Sequence, residues 1–196
     1  MGKLSEYVEV IPGYPFRERI LENPDGDARV LQMKDVDPSA GIAWDGLLKT
    51  DLKGRRKPDW LQADDVVFLL RGNRNFAVIL KSVPEPTVIS PHFFLLRVGR
   101  QVPLLPGFLA WQINQEPAQR YLEMSAEGTV QRSIRRGVLE DMPFVLPTIQ
   151  EQEVVIRLSE AAKSEADTYK ELIVNRERML RAVASKILGQ DNSTRR

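Results

Sequence analysis

Apolar residues follow two different patterns along the chain, and the change falls near Pro147. Before this point, short runs rich in β-branched and aromatic residues are separated by turn-forming residues, which is typical of β-strands. The predicted strands are residues 7–11, 29–33, 66–70, 76–80 and 93–97. Helices are predicted from Pro106 or Gly107 and from Pro117, because proline fits the first turn of a helix. This mixture predicts an irregular α+β domain and not an alternating βαβ array.

A single long helix is predicted after Pro147. Thr148 and Glu151 have the spacing of a capping box, in which a hydroxyl and a carboxylate bind unpaired backbone N–H groups at a helix start. Gly189 is suited to end the helix, and neither proline nor glycine occurs between these positions. At 1.5 Å per residue, residues 149–188 would form about 60 Å of helix.

The predicted helix carries an apolar stripe that it cannot bury against itself. Small or apolar residues recur every three or four positions, and the aliphatic part of Arg176 bridges one interval of seven. They are Val155, Leu158, Ala162, Ala166, Tyr169, Ile173, Leu180, Val183 and Ile187. Such a helix needs a partner, which could be its own copy, another subunit or a second helix. The alternative is that the stripe folds back on its own domain. The predicted interface residues are Leu158, Tyr169, Ile173, Leu180 and Val183.

These patterns divide the chain into three predicted segments. Residues 1–147 form the irregular domain, residues 148–189 form the long, coiled-coil-like helix, and residues 190–196 form a flexible polar tail. The 196 residues are enough to bury a core in one domain with an appendage.

Composition narrows the function classes. The 28 basic and 27 acidic residues give a net charge of +1, which excludes a polycation that coats nucleic acid or membrane. Cysteine is absent and histidine occurs once, which excludes disulfides and any site built from several cysteine or histidine ligands. We therefore expect no metal and no cofactor. No apolar run approaches the roughly 20 residues of a membrane span, and no signal peptide is recognisable, so the predicted location is the cytoplasm.

Sequence motifs for catalysis are missing. The chain has no glycine-rich phosphate loop, no GxGxxG motif and no adenine methyltransferase signature. A nuclease site could begin at Pro58 and Asp59, but Ile79 and Leu80 precede Lys81 where a carboxylate ligand would be needed. These residues therefore give little support to a catalytic site.

Clusters of basic residues are the stronger functional signal. The first contains Lys53, Arg55, Arg56 and Lys57, and the second contains Arg71, Asn73, Arg74 and Asn75 in a predicted turn. Arg132 and Arg135 belong to a third cluster after a polar stretch. Arginine and asparagine make bidentate contacts to guanine and adenine edges in the major groove, so these clusters indicate a DNA-binding face. The alternative is ordinary solvated surface.

Several short motifs follow one another in a recognisable order. They are GYPF at residues 13–16, LQMKDV at 31–36, LQADDVVF at 61–68 followed by Arg71-Gly72, SPHFFLLRV at 90–98, PGFL at 106–109, GTVQRSI at 128–134 and MPFVLPTIQEQ at 142–152. Taken together, they resemble the specificity subunit of type I restriction-modification systems. The resemblance covers nearly the whole chain and corresponds to one target recognition domain followed by one helical spacer.

This resemblance implies a function that composition alone does not show. Members of the family are not enzymes: each recognition domain recognises one half of a bipartite DNA sequence, and the helices set the distance between the halves and bind adenine methyltransferase subunits. DNA methylation, a restriction or translocase subunit and phage defence are implied with it. A typical member has two such units in tandem, whereas this chain has one. A half-size subunit that forms a homodimer and recognises a palindromic bipartite site is therefore implied, or alternatively a system that uses one half-site.

Carried over to this chain, the resemblance places DNA contacts in the loops already identified by charge. The candidates are Lys53, Arg55, Arg56, Lys57, Arg71, Asn73, Arg74 and Asn75 for the bases, and Thr129, Gln131, Arg132 and Arg135 near the DNA backbone. Residues 149–196 carry nine basic and eight acidic side chains, which leaves 19 of each in residues 1–148. Such a neutral domain implies weak DNA binding alone. It also motivates the alternative hypothesis of an adaptor, assembly factor or decoy that binds methyltransferase subunits without recognising DNA.

Overall fold

The computed structural model describes residues 2–54, 56–72, 74–127 and 133–189. The chain divides into two compact units, with the boundary between Glu153 and Val154. The first unit includes the first turn of the long helix, whereas the sequence placed its boundary before that helix, at residue 147.

The first unit is built from short strands and short helices. Its strands are β1 (Gly2–Lys3), β2 (Val8–Pro12), β3 (Ala28–Leu31), β4 (Val36–Asp37), β5 (Gly41–Ile42), β6 (Leu48–Thr50), β7 (Val66–Leu69), β8 (Phe76–Ile79), β9 (Thr87–Ile89), β10 (Phe93–Val98) and β11 (Pro143–Phe144). Its helices are α1 (Pro106–Ile113), α2 (Glu116–Ser125) and α3 (Arg136–Glu140), and the helix α4 (Ile149–Ile187) begins here. Single 3₁₀ turns lie at Leu4–Glu6, Met33–Asp35 and Trp44–Gly46.

Two small sheets carry most of the strand pairing. One has the order β2-β10-β7-β8 and is antiparallel throughout, with Phe93 opposite Leu69 and Leu96 opposite Val66. The other has the order β6-β3-β9, in which β3 and β9 run parallel. The strands β1 with β11 and β4 with β5 form separate two-stranded pairs.

The main core lies between elements of both larger sheets. Ile11, Leu31, Val67, Ile89 and Leu95 come from five different strands and belong to one cluster of buried side chains. Because side chains alternate across a strand, the neighbouring positions on β7 and β10 face the other side of the sheet. These are also buried, and α1 packs against β7 and β8 there. Both faces of the four-stranded sheet are therefore covered.

The edge strand β8 is paired by a side chain instead of another strand. Asn114 accepts a hydrogen bond from the Ala77 N–H at 2.9 Å and donates one to the Ala77 carbonyl at 2.8 Å. One amide side chain thus satisfies a donor and an acceptor that would otherwise lie unpaired at an exposed sheet edge.

The helix α4 begins with the predicted capping box. The Thr148 N–H donates to a Glu151 carboxylate oxygen at 2.9 Å, and the Glu151 N–H donates to the Thr148 hydroxyl at 3.4 Å. The helix extends to Ile187, and Gly189 has a φ of +70°, a conformation typical of helix ends. The predicted α+β class and long C-terminal helix are confirmed; the tail at 190–196 lies outside the described residues.

Candidate nucleic-acid interface

The β7–β8 turn projects two arginines from the end of the four-stranded sheet. Arg71 and Arg74 are exposed, and among the described residues no carboxylate pairs with either of them. Gly72 between them has a φ of +131°, a conformation that glycine adopts without strain. Asn75 is half-buried, and its amide donates to the Leu69 carbonyl at 2.9 Å. The turn therefore has a fixed base and an exposed, cationic tip.

The paired backbones of Glu127 and Ser133, the 127/133 pair, lie directly beside this turn. Glu127 and Ser133 exchange backbone hydrogen bonds of 3.2 and 3.0 Å. Ser133 also forms a β-bridge with Arg71, and the Ile134 N–H donates to the Leu70 carbonyl at 3.0 Å. The structure thus brings together two of the three sequence clusters that charge singled out.

Arg135 follows the 127/133 pair by two residues. It is exposed and forms an ion pair of 2.5 Å with the Glu127 carboxylate. An ion pair between exposed side chains is worth about 0–1 kcal/mol. A DNA phosphate could therefore replace Glu127 as the partner of Arg135 at little cost.

The remaining cluster, the basic loop 53–57, lies between β6 and β7. Lys53, Arg56 and Lys57 are all exposed, and Arg56 pairs with Asp59 at 2.8 Å. The Gly54 N–H donates to the Tyr14 hydroxyl at 2.9 Å, which attaches the loop to the second sheet. Among the described residues, no hydrogen bond or strand pairing joins this loop to the β7–β8 turn.

Five of the predicted DNA contacts lie outside the described residues. They are Arg55, Asn73, Thr129, Gln131 and Arg132. The last three fall between Glu127 and Ser133, whose backbones are paired beside Arg71.

A buried ion pair holds the segment that follows the basic loop. The guanidinium of Arg97 donates to both Asp65 carboxylate oxygens, at 2.8 and 2.7 Å, and to the Trp60 carbonyl at 3.0 Å. The Gln62 N–H donates to the same carboxylate at 2.8 Å. These hydrogen bonds to Asp65 raise the pKa of Arg97 above its ordinary value. The pair is bidentate and Asp65 is almost fully buried, so it fixes the chain between the basic loop and β7.

The helix α4 is anchored by one buried amide side chain. Gln152 is fully buried; it accepts from the Leu105 N–H at 2.8 Å and donates to the Pro103 and Pro147 carbonyls at 2.9 Å each. Its one amide therefore joins three backbone groups that come from the segment before α1 and from the residue before the capping box. The Gln152 side chain thus hydrogen-bonds backbone groups at the start of α4 that pair with no other backbone group of the described chain.

Beyond this anchor, α4 exposes its apolar stripe. In the described chain Gln152 is the one fully buried residue of the helix. The five predicted interface residues Leu158, Tyr169, Ile173, Leu180 and Val183 are between 49% and 67% exposed. Exposed apolar area of this extent is typical of a protein–protein contact surface.

The described residues contain neither a cluster of metal-ligating side chains nor a membrane-spanning helix. No three histidine, aspartate or glutamate side chains of the described chain are placed to hold a metal ion. No helix in the described ranges is both long enough and apolar enough to cross a bilayer.

Two residues with evident structural roles at this interface were not singled out by sequence. Tyr14 and Gln152 both lie in motifs that carry the resemblance, at 13–16 and 142–152. Their partners, however, are backbone groups 40 and up to 49 residues away. Only the fold shows those pairings.

Comparison with known proteins was informative only at the level of structure. No family model and no curated protein matches the sequence. The S subunit of a type I restriction-modification system from M. genitalium matches with a TM-score of 0.57 and 14% identity, over 97% of this chain and 46% of that one. The HsdS subunit from Thermoanaerobacter tengcongensis matches with a TM-score of 0.64 and 14% identity, over 96% of this chain and 43% of that one.

A third match comes from work on complex assembly and conformational transition of the type I R-M system. Its TM-score is 0.67 and its identity 16%, over 96% of this chain and 44% of the matched chain. The chain therefore spans less than half the length of the solved proteins it matches. These likenesses cover both the first unit and the long helix. The chain has the fold of type I restriction-modification S subunits, as the order of its sequence motifs predicted.

Proposed function

We propose that this chain is a non-catalytic DNA sequence-recognition subunit that directs an adenine methyltransferase to a bipartite target site. The observation that carries the proposal is the fold, which matches S subunits over 96–97% of the chain. The described residues add a cationic surface and an exposed apolar helix face, which suit a DNA partner and a protein partner respectively.

The proposed base contacts are made by the β7–β8 turn. Arg71 and Arg74 are exposed at its tip with no carboxylate partner in the described part of the chain, so they are available to guanine edges or phosphates. The 127/133 pair lies beside the same turn. Arg135 would contact DNA next to it, as would Thr129, Gln131 and Arg132, which lie outside the described residues.

The apolar face of α4 is the proposed protein interface. A second copy of the chain, packed antiparallel along the stripe, would form a coiled coil and present two recognition units to a palindromic bipartite site. Methyltransferase subunits would bind the resulting pair of helices. A restriction or translocase subunit is a further proposed partner, in a cytoplasmic phage-defence system.

The proposal is tested by reconstitution with the methyltransferase encoded next to this chain. The two proteins are co-purified, DNA is treated with the complex, and methylated adenines are mapped by sequencing. We expect one split motif that appears only when this chain is present, with palindromic halves if it acts as a homodimer. Methylation without sequence preference would contradict the proposal.

The Arg71→Ala and Arg74→Ala variants test the assigned base contacts. We expect each to relax or abolish target selection, by about 1–3 kcal/mol of discrimination per lost bidentate contact. Arg100→Ala is the matched control: Arg100 is also exposed but follows β10 at the opposite end of the sheet. If both variants methylate the same motif as the parent, the assignment of these two arginines is wrong.

An adaptor function is the second candidate, favoured by the neutral charge of residues 1–148. DNA-binding domains generally gain affinity by neutralising phosphates with an excess of cations. In this case the helix would bind methyltransferase subunits while the first unit contacts no DNA. A stable complex that neither shifts DNA nor changes methylation would support the adaptor over the recognition subunit.

A further inference from the structure

We propose that Tyr14 is a positioning residue that holds the basic loop 53–57 against the sugar–phosphate backbone of DNA. The inference rests on the proposed function and deepens it: it assigns to phosphate a loop for which the sequence resemblance implied base contacts, and it leaves the base contacts to the β7–β8 turn. Tyr14 lies outside the charged clusters, and in this proposal it does not contact DNA itself.

Tyr14 is fixed by the core and reaches the loop with one atom. Its side chain is 6% exposed and packs with Val30 and Val88, and its ring meets Phe16 edge-on at 5.0 Å. The hydroxyl accepts the Gly54 N–H at 2.9 Å. A Cβ atom at Gly54 would overlap this hydroxyl, so the close approach requires glycine. A rigid side chain therefore sets the position of a backbone atom in the middle of the basic residues.

Further contacts hold the chain on either side of the loop. Before it, the Leu52 N–H donates to the Asp27 carboxylate at 3.1 Å. After it, the Leu61 N–H donates to the Thr87 carbonyl at 2.9 Å. Within residues 53–57, Tyr14 is the tether from another element that the described residues show. Without its hydroxyl, the loop would be held at its ends and not at its centre.

The described side chains of this loop suit phosphate better than bases. Lys53 and Lys57 are exposed and present compact point charges, and Arg56 already shares its charge with Asp59. The β7–β8 turn, by contrast, presents arginines on a closed hairpin. Phosphate contacts position a protein on DNA without selecting sequence. Changes in the basic loop should therefore lower DNA affinity, whereas changes in the β7–β8 turn should alter target selection.

A pocket lies beside the basic loop, and the contacts that position the loop border it. It has a volume of about 280 Å³ and is formed by residues 14–21 and by Thr50, Asp51, Lys53 and Gly54. Its buried hydroxyls are already used within the fold: that of Tyr14 accepts from Gly54, and that of Thr50 donates to the Leu21 carbonyl at 2.7 Å. Both hydroxyls therefore hold the chain on the two sides of the pocket.

The test measures DNA affinity against salt for the complex of this chain with its methyltransferase. The probe is a random-sequence duplex, because phosphate binding does not depend on sequence. Replacing Lys53 and Lys57 by alanine should reduce the slope of log K against log salt by about 1.8, since each phosphate contact contributes about 0.9. Tyr14→Phe should weaken binding at least threefold and lower the same slope by a smaller amount.

A combined variant separates positioning from a general structural effect. In the background that lacks Lys53 and Lys57, Tyr14→Phe should cause a clearly smaller loss, because most of its effect passes through those lysines. Tyr121→Phe is the matched control: it removes a hydroxyl bonded to one backbone group, the Val138 carbonyl at 3.1 Å, and should leave the slope unchanged. If Tyr14→Phe does not fold, Gly54→Ala displaces the same contact and should give the same slope change.

The outcomes distinguish the inference from the function on which it rests. Equal losses from Tyr14→Phe with and without the two lysines would overturn the positioning role. An unchanged salt slope on removal of the lysines would overturn the assignment of the loop to phosphate. The absence of any methylated motif in the reconstitution experiment would instead overturn the proposed function, whatever the salt slopes.

Discussion

The first unit and the long helix use the same apolar residue types in opposite ways. In the first unit Phe93 and Leu95 are fully buried. In α4, Leu180 is 59% exposed and Ile173 60%. The first unit therefore gains its stability from its own core, because burying such side chains is worth about 1.5–3 kcal/mol each. The stripe on the helix can contribute the same energy only when something covers it, so exposed as it is here it adds little to the stability of the isolated chain.

The largest expected effect comes from placing charges on the exposed stripe. Ile173→Lys together with Leu180→Lys should weaken association with a second copy or with the methyltransferase by about 10⁴-fold or more, since each charge buried in an apolar interface is costly. Sedimentation of the purified chain and co-elution with the methyltransferase measure this.

The matched control carries the same two charges on the other side of the helix. Asn175→Lys and Ala182→Lys are also seven residues apart, and each position is rotated by about 200° from the stripe. This variant should assemble normally. If both double variants assemble equally well, the stripe is not the interface.

Truncating an apolar side chain to alanine should lower the free energy of unfolding far more in the first unit than in α4. Phe93→Ala should lower the free energy of unfolding by about 3–5 kcal/mol. Leu180→Ala should change it by no more than about 0.5 kcal/mol in the dissociated chain, because its side chain is already exposed. Urea denaturation followed by tryptophan fluorescence measures the first unit, since Trp44, Trp60 and Trp111 all lie there. Similar losses from both variants would show that the stripe is covered within one chain.

Loss of the Gln152 hydrogen bonds at the start of α4 should have a smaller effect on the free energy of unfolding. Gln152→Ala leaves the Leu105 N–H and two proline carbonyls without partners, which should cost about 2–3 kcal/mol of unfolding free energy. Gln150→Ala removes the same kind of side chain from an exposed position two residues earlier and should cost no more than about 0.5 kcal/mol. Equal effects in urea denaturation would mean that the buried hydrogen bonds add nothing.

The capping box gives the smallest effect, and it depends on pH. Thr148→Ala should cost about 1 kcal/mol of unfolding free energy. Hydrogen bonds from Thr148 lower the pKa of Glu151 below its ordinary value of 4.5. Because the folded pKa lies below the unfolded one, the carboxylate stabilises the fold above the unfolded value, and this contribution is lost as pH falls through the folded value.

The comparison of wild type with Glu151→Gln measures that dependence. The wild type should be the more stable of the two at neutral pH, and the difference should shrink in thermal melts as the pH falls below 4.5. A difference that is constant with pH would show that the hydrogen bond does not depend on the charge of Glu151.

Sequence patterns predicted the long elements because their signals are local. The strands expected at residues 66–70 and 93–97 are observed at Val66–Leu69 and Phe93–Val98. The capping box and apolar period located α4 to within one residue of its observed end. Hydrophobic period, turn residues and caps all act within a few positions, so the sequence alone displays them.

The short strands were missed because their partners are distant in sequence. Thr87–Ile89 is only three residues long and pairs in parallel with Ala28–Leu31, more than 50 residues earlier. Gly2–Lys3 likewise exists through its pairing with Pro143–Phe144. Such segments carry too few positions for a period to be visible, and their conformation is set by the strand beside them.

The candidate site shows the same division. The clustering of basic residues in the sequence was enough to single out Arg71 and Arg74. The sequence did not show that the 127/133 pair lies beside Arg71, because backbone groups make that contact. It also did not show that Asn75 closes the turn through Leu69 instead of projecting with the arginines.

The construction of the β7–β8 turn has a consequence for how this protein can change over generations. Its shape depends on Gly72, on Asn75 and on the backbone bridge of Arg71 to Ser133, whereas the side chains of Arg71 and Arg74 pair with no carboxylate among the described residues. A mutation at either arginine side chain therefore alters the outward chemistry of the turn at little expense to folding. Under the proposed function, variants with new target preferences are then reachable by single substitutions, without an unstable intermediate that selection would remove.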